Sequence, residues 1–155
     1  GITPYPAGTT TSAFASAVTA RMLITSVHDI DNNTAIDAAT GEVVGTVQLA
    51  GDGEQAIIGA DGLIYVNSED TAEVVVFDPK SLAVKKRFPI GVAKTPTGLA
   101  YDAKTKRLFI GCRNEPKMIV MNAETGKVIS SFAIAAGVDY RGNLIERQTS
   151  FLLIR

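Results

Sequence analysis

The chain has 155 residues, of which 46% are hydrophobic and 20% charged, with a formal net charge of −1. That is enough for one domain with its own core, in the composition of an ordinary soluble globular protein. No apolar run approaches 18 residues, which excludes a helical membrane span, and the single cysteine, Cys112, excludes an intrachain disulfide.

Gly1 stands where a nascent chain would have Met, so the chain is expected to be processed or part of a longer one. Residues 1–20 are rich in Thr, Ala and Ser and start with Pro4 and Pro6, which keep the backbone extended. They read as a poorly ordered leader or an inner strand. Phe14 to Val18 is only weakly apolar and lacks the charged flank and long apolar core of a targeting segment.

Arg21 to Val27 reads as a strand, and His28-Asp29-Ile30-Asp31-Asn32-Asn33 as the loop after it. His28, Asp29 and Asp31 are the most metal-like group in the chain, and their carboxylates suit a divalent cation such as calcium. The spaced ligands and terminal Glu of an EF-hand loop are missing, so a turn with self-satisfying Asp and Asn side chains is the favoured reading. Ala35-Ile36 begins a strand, Gly41 turns it, and Val43 to Leu49 follows.

Residues 50–54 form a glycine-bearing connector. After it, short apolar runs alternate with turns. Gln55 to Gly59, Ile64-Tyr65-Val66, Val74 to Phe77 and the segment ending at Phe88 make one group of four. Thr97 to Asp102, Arg107 to Cys112, Met118 to Met121 and Lys127 to Phe132 make the next. Each run is near the common strand length and too short for an independent helix. Short connections predict antiparallel neighbours. Gly137-Val138-Asp139 reads as the entry to a further blade, but residues 140–155 match no blade position, so 138–155 reads as an atypical tail in which Phe151 to Ile154 could form one strand.

The groups repeat. Ile64-Tyr65-Val66 matches Leu108-Phe109-Ile110, Val76-Phe77-Asp78 matches Val120-Met121-Asn122, and Phe88 matches Phe132, all at an offset of 44. Ile36-Asp37 matches Phe77-Asp78 at an offset of 41. One turn recurs as DAATGEV at 37–43, DPKSLAV at 78–84 and NAETGKV at 122–128, with Leu82 standing where the others have glycine. Four strands every 40 to 45 residues is the period of a propeller blade. The expected fold is therefore all-β, with blades of four antiparallel strands at about 21–50, 51–94 and 95–137, the first of them partial. A blade needs neighbours on both faces. Four such repeats would exceed the chain length, so the expectation is a portion of a longer propeller, or exposed blade faces covered by association.

These phrases resemble the YVTN-type β-propeller repeat family. Tyr65-Val66-Asn67 stands where that family has its signature strand, and residues 65–78 and 96–112 are similar to consecutive blades of its bacterial members. The resemblance runs from about 30 to 137. It implies a propeller broadly like the WD40 repeats, a periplasmic or secreted location, and no particular activity.

Function is expected on the rim where loops of successive blades gather: Asn67, Glu69 and Asp70 in one, Arg113 and Asn114 in the next. The leading expectation is a non-catalytic module that binds a protein or small ligand there, with no cofactor. Two alternatives stand beside it. A metal-dependent hydrolase like the lactonase-type propellers would draw on Glu54, Asp102 and the cluster at 28–33. A nucleic-acid binder would use the basic half, because residues 80–155 carry +9 against −10 for residues 1–79. Lys85-Lys86-Arg87 is the centre of that half, but lysines on an outer strand more often guard an edge. Cys112 has no histidine near in sequence and reads as a packed thiol. The opposed halves also favour self-association through exposed blade faces.

Overall fold

The computed structural model describes residues 14–15, 22–26, 32–37 and 39–136, with side chains from residue 33 onward. Three four-stranded antiparallel sheets follow one another along the chain. The first contains β1 (Phe14–Ala15), β2 (Met22–Ser26), β3 (Asn32–Asp37) and β4 (Val43–Gln48). The second contains β5 (Gly53–Ile58), β6 (Ile64–Ser68), β7 (Glu73–Phe77) and β8 (Val84–Pro89). The third contains β9 (Pro96–Asp102), β10 (Arg107–Cys112), β11 (Lys117–Asn122) and β12 (Val128–Ala133). Within each sheet the spatial order is the chain order. These are propeller-type blades, and the fold is all-β as the repeat implies.

Two details differ from the sequence reading. The first blade, expected to be partial, has four strands, because Phe14 and Ala15, inside the segment read as a leader or an inner strand, pair with Ser26 and Thr25. Asn32 and Asn33, read as loop, begin β3, because Asn33 faces Ser26 and Asn32 faces Gln48 in the ladders on either side. Apart from Phe14 and Ala15, the stretch 1–20 lies outside the described residues. So does the tail at 138–155, with the strand read at 151–154.

The recurring turn explains why the last hairpin of each blade closes alike. Asp37 Oδ1 accepts hydrogen bonds from the Ala39 and Thr40 amides at 2.8 and 3.0 Å. Asp78 Oδ1 accepts from Lys80 and Ser81 at 2.8 and 3.4 Å. Asn122 Oδ1 accepts from Glu124 and Thr125 at 3.0 and 2.9 Å. A short Asx side chain at this point satisfies donors that the ladder cannot reach. The bonds favour the ionised carboxylate, and the Lys80 amide chiefly holds Asp78 below the ordinary carboxylate range. Four residues on, the backbone turns left-handed, with φ of +74° at Gly41, +57° at Leu82 and +71° at Gly126. Glycine does this freely, whereas Leu82 carries a cost of about 1 kcal/mol or more. Its side chain packs against the core between the first two blades.

β6 and β7 have no exposed face because the second blade is covered on both sides. Val75 and Phe77 point to a core shared with Ala35, Val47 and Leu49 of the first blade. Val74 and Val76, on the other side of β7, point to a core shared with Leu108, Ile110, Ile119 and Met121 of the third. All four β7 residues are fully buried. A strand covered on both faces reads as a continuous apolar run. Each such side chain contributes roughly 1.5–3 kcal/mol relative to exposure.

Candidate binding rim

The loops between the middle strands of the second and third blades, residues 69–72 and 113–116, are hung on the connectors that enter those blades. The Glu69 amide donates to the Asp52 carbonyl at 2.8 Å, and the Arg113 amide to the Thr95 carbonyl at 3.0 Å. The side-chain contributions are exchanged. Asp70 Oδ2 accepts from the Asp52 amide at 3.3 Å, whereas in the next blade Thr95 Oγ1 accepts from the Asn114 amide at 2.9 Å. Both connectors contain a residue with positive φ, Ala50 and Thr95, although not at the same place.

Two rim candidates meet across the blades. Arg113 Nη2 donates to Glu69 Oε1 at 2.6 Å, and these residues hold the same position in consecutive repeats. The Arg113 side chain is 45% exposed and that of Glu69 12%. Asp70 and Asn114 are exposed beside them.

Asn67 is placed elsewhere. It is fully buried, and its side-chain amide donates to the Gly98 carbonyl at 3.0 Å. The pleat explains this: Tyr65 and Asn67 lie on the side of β6 that faces the third blade. Asn67 therefore ties blades together rather than offering a group to a ligand. Its Oδ1 and the nearby Thr97 Oγ1 are buried without a protein partner, the kind of pair an ordered water serves. Gln55, which the sequence did not single out, acts similarly by accepting from the Leu99 amide at 2.7 Å.

Tyr65 spans the same seam. Its hydroxyl lies 2.9 Å from Asp61 Oδ2 and 3.3 Å from the Ala123 carbonyl, and its ring stacks on Tyr101. Burial first, then the Asp61 carboxylate, pushes its pKa well up. Cys112 is fully buried, and desolvation pushes its thiol up to about 11, so it is no nucleophile at neutral pH.

The candidate metal group His28, Asp29 and Asp31 lies outside the described residues. Among the described residues, no three His, Cys, Asp or Glu side chains come together. Glu54 sits near the start of β5 and Asp102 ends β9. In the repeat register these positions are four residues, or roughly 13 Å of strand, apart. The Asp102 carboxylate is held by its own turn, accepting from the Thr105 hydroxyl and the Lys104 amide, which lower its pKa. One metal ion cannot use both carboxylates.

Much of the basic half is engaged. Arg87 donates to the carbonyls of Leu49 and Gln48 in the first blade and pairs with Glu73. Lys86 donates to the Glu124 carbonyl of the third blade at 2.9 Å, Lys106 pairs with Glu124, and Lys117 donates to the Val92 carbonyl. The Lys85-Lys86-Arg87 run is thus a pair of blade clamps more than an edge guard.

Among the described residues, no helix is long and apolar enough to cross a membrane. No protein-family model matches the chain, and no curated protein sequence matches it. Among solved structures it is similar to a chain of Kuenenia stuttgartiensis hydrazine synthase, with a TM-score of 0.70 at 20% identity. The match covers 87% of this chain and 41% of that one, so this chain spans about two fifths of its structural neighbour. At that identity the likeness is one of fold, and it agrees with the propeller-type blades.

Proposed function

We propose that the chain is a non-catalytic propeller repeat module of the YVTN type, binding a polar protein segment or small ligand on the rim formed by the 69–72 and 113–116 loops. The observation that carries this reading is the Glu69–Arg113 pair with Asp70 and Asn114 exposed beside it. Repeated loops pinned by backbone bonds present acidic groups on one blade next to a guanidinium on the following one. Such a surface can exchange the internal ion pair for contacts with a ligand bearing both donors and carboxylates. The Arg113 side chain is 45% exposed and can turn towards a ligand, while Glu69, 12% exposed, would need the ligand's donors in exchange for the guanidinium.

The test is a ligand-observed screen of short charged peptides and polar metabolites against the labelled chain, followed by amide shift mapping. Binding whose shifts centre on Glu69, Asp70, Arg113 and Asn114, and which Arg113→Ala abolishes without unfolding the chain, supports the reading. Binding centred elsewhere, or hydrolytic turnover that depends on Glu54 or Asp102, overturns it.

A further inference from the structure

Five described residues other than glycine have positive φ: Ala50, Ala72, Leu82, Thr95 and Lys106. Leu82 has its reason in the core between the first two blades. Thr95, at +52°, is the least expected of the five. It alone is β-branched, and it alone precedes a proline, Pro96. A β-branched side chain crowds a left-handed backbone, and a following proline pushes the residue before it towards an extended conformation. Such strain persists only where the surroundings hold it, and it gathers at binding sites and switches.

What holds Thr95 is the rim loop of the third blade. Its carbonyl accepts the Arg113 amide at 3.0 Å, and its hydroxyl accepts the Asn114 amide at 2.9 Å. Two consecutive amides of one loop thus end on two atoms of one residue. In its left-handed conformation that residue also turns the connector into β9. The second blade attaches its loop differently, through the loop's own Asp70 carboxylate on the Asp52 amide. Because Thr95 supplies the side-chain acceptor in the third blade, the Asn114 side chain has no part in the attachment. It stays exposed beside the guanidinium that pairs with Glu69.

We propose that Thr95 is a positioning residue of the rim, its strained backbone kept because it fixes the loop that lays Arg113 on Glu69 and leaves Asn114 facing outward. Thr95 acts through that loop and touches no ligand itself. The inference rests on the rim reading for its purpose and adds to it the residue that sets the site in advance. A guanidinium carried on an ordered loop loses less freedom when a ligand binds, so the strain at Thr95 is offset by tighter binding.

Thr95→Gly and Thr95→Ser separate positioning from folding. Glycine relieves the strain but removes the hydroxyl and loosens the backbone, whereas serine keeps the hydroxyl. In Thr95→Gly the melting temperature should be unchanged or higher, while deuterium exchange of the Asn114 amide quickens about tenfold and the β10 amides keep their rates. The order parameter of the Arg113 Nε–Hε bond should fall in the same variant. Thr95→Ser should stay near the parent in all of these. Unchanged Asn114 exchange in Thr95→Gly overturns the proposal. So does a lower melting temperature with β10 and Asn114 amides quickening together, which would make Thr95 a folding residue only. Neither readout needs a ligand. Failure here removes the role of Thr95 and leaves the rim standing, whereas failure of the peptide and metabolite screen removes the rim and leaves Thr95 a loop fastener.

Discussion

Leu82 of the second blade lies over Gly45 of the first, so that a Cβ on Gly45 would come within 2.5 Å of Leu82 Cδ1. At the next seam the sizes are reversed, with Phe88 of the second blade lying over Gly126 of the third. Each seam thus pairs one large side chain with one glycine, and the large partner changes sides. A repeat that puts leucine at a left-handed turn position has used the residue as packing, and its neighbour has given up a side chain to make room.

The first pair should be coupled. Gly45→Ala is expected to destabilise the chain by about 1–2 kcal/mol through crowding, because the clash is with the tip of a flexible side chain. In a Leu82→Ala background the same change should cost close to nothing. Urea denaturation of the four proteins in this cycle measures the coupling, and additive effects would show that the two residues do not touch.

The second pair should be harsher. Gly62 and Gly126 have φ of +78° and +71°, but a Cβ on Gly62 meets nothing within 4 Å whereas one on Gly126 meets the Phe88 ring. Gly62→Ala should cost about 1 kcal/mol, from backbone strain alone. Gly126→Ala should cost about 2–4 kcal/mol, because strain and overpacking act together. Equal costs in denaturant titrations would place Phe88 elsewhere.

Asn67 offers a test of its structural role. Asn67→Ala leaves the Gly98 carbonyl without its donor in a buried seam, at an expected cost of about 1–3 kcal/mol. Asn67→Asp should cost more at neutral pH, since it sets a carboxylate against that carbonyl. If instead Asn67→Ala left stability unchanged and abolished ligand binding, Asn67 would belong to the rim after all.

Two ends of the pH range should also report on the fold. Burial raises the Cys112 thiol from 9.0 to about 11, so the folded chain resists forming a thiolate that the unfolded chain forms readily. Stability is then full below pH 9 and falls as the pH rises from 9 towards 11, with Tyr65 acting in the same direction from pH 10 upward. Cys112→Ala should make the alkaline fall in melting temperature shallower. Asp78 and Asp102 have lowered pKa values, so what they contribute is present above the ordinary value of 3.8 and is lost as the pH falls below it. A melting temperature that stays flat from pH 9 to 11 would contradict the burial of Cys112.

The blades were legible because two local signals agreed. The turn residues Asp37, Asp78 and Asn122 mark the same hairpin three times, and apolar runs of strand length lie between the marks. Gly126 at a turn could be read from its neighbours alone. Leu82 could not, because its place depends on Gly45 in another blade. Asn67 failed as a rim residue for a related reason. It is polar and next to a loop, but the pleat turns it inward towards Gly98, 31 residues away. The basic run at 85–87 looked like a surface patch because three of its four acceptors, the carbonyls of Leu49, Gln48 and Glu124, are backbone groups that leave no trace in sequence. The Glu69–Arg113 pair was findable, since the two residues share a repeat position and have opposite charge.

The stacking of blades is tested most directly by the Gly126 Hα resonances of the labelled chain. If the third blade packs on the second as described, the Gly126 hydrogen in the Cβ direction lies against the Phe88 ring. It should then be shifted strongly upfield and show nuclear Overhauser contacts to the ring protons, all of which vanish in Phe88→Leu. An ordinary Gly126 shift without such contacts in a folded chain would contradict the packing, and with it the rim built on it.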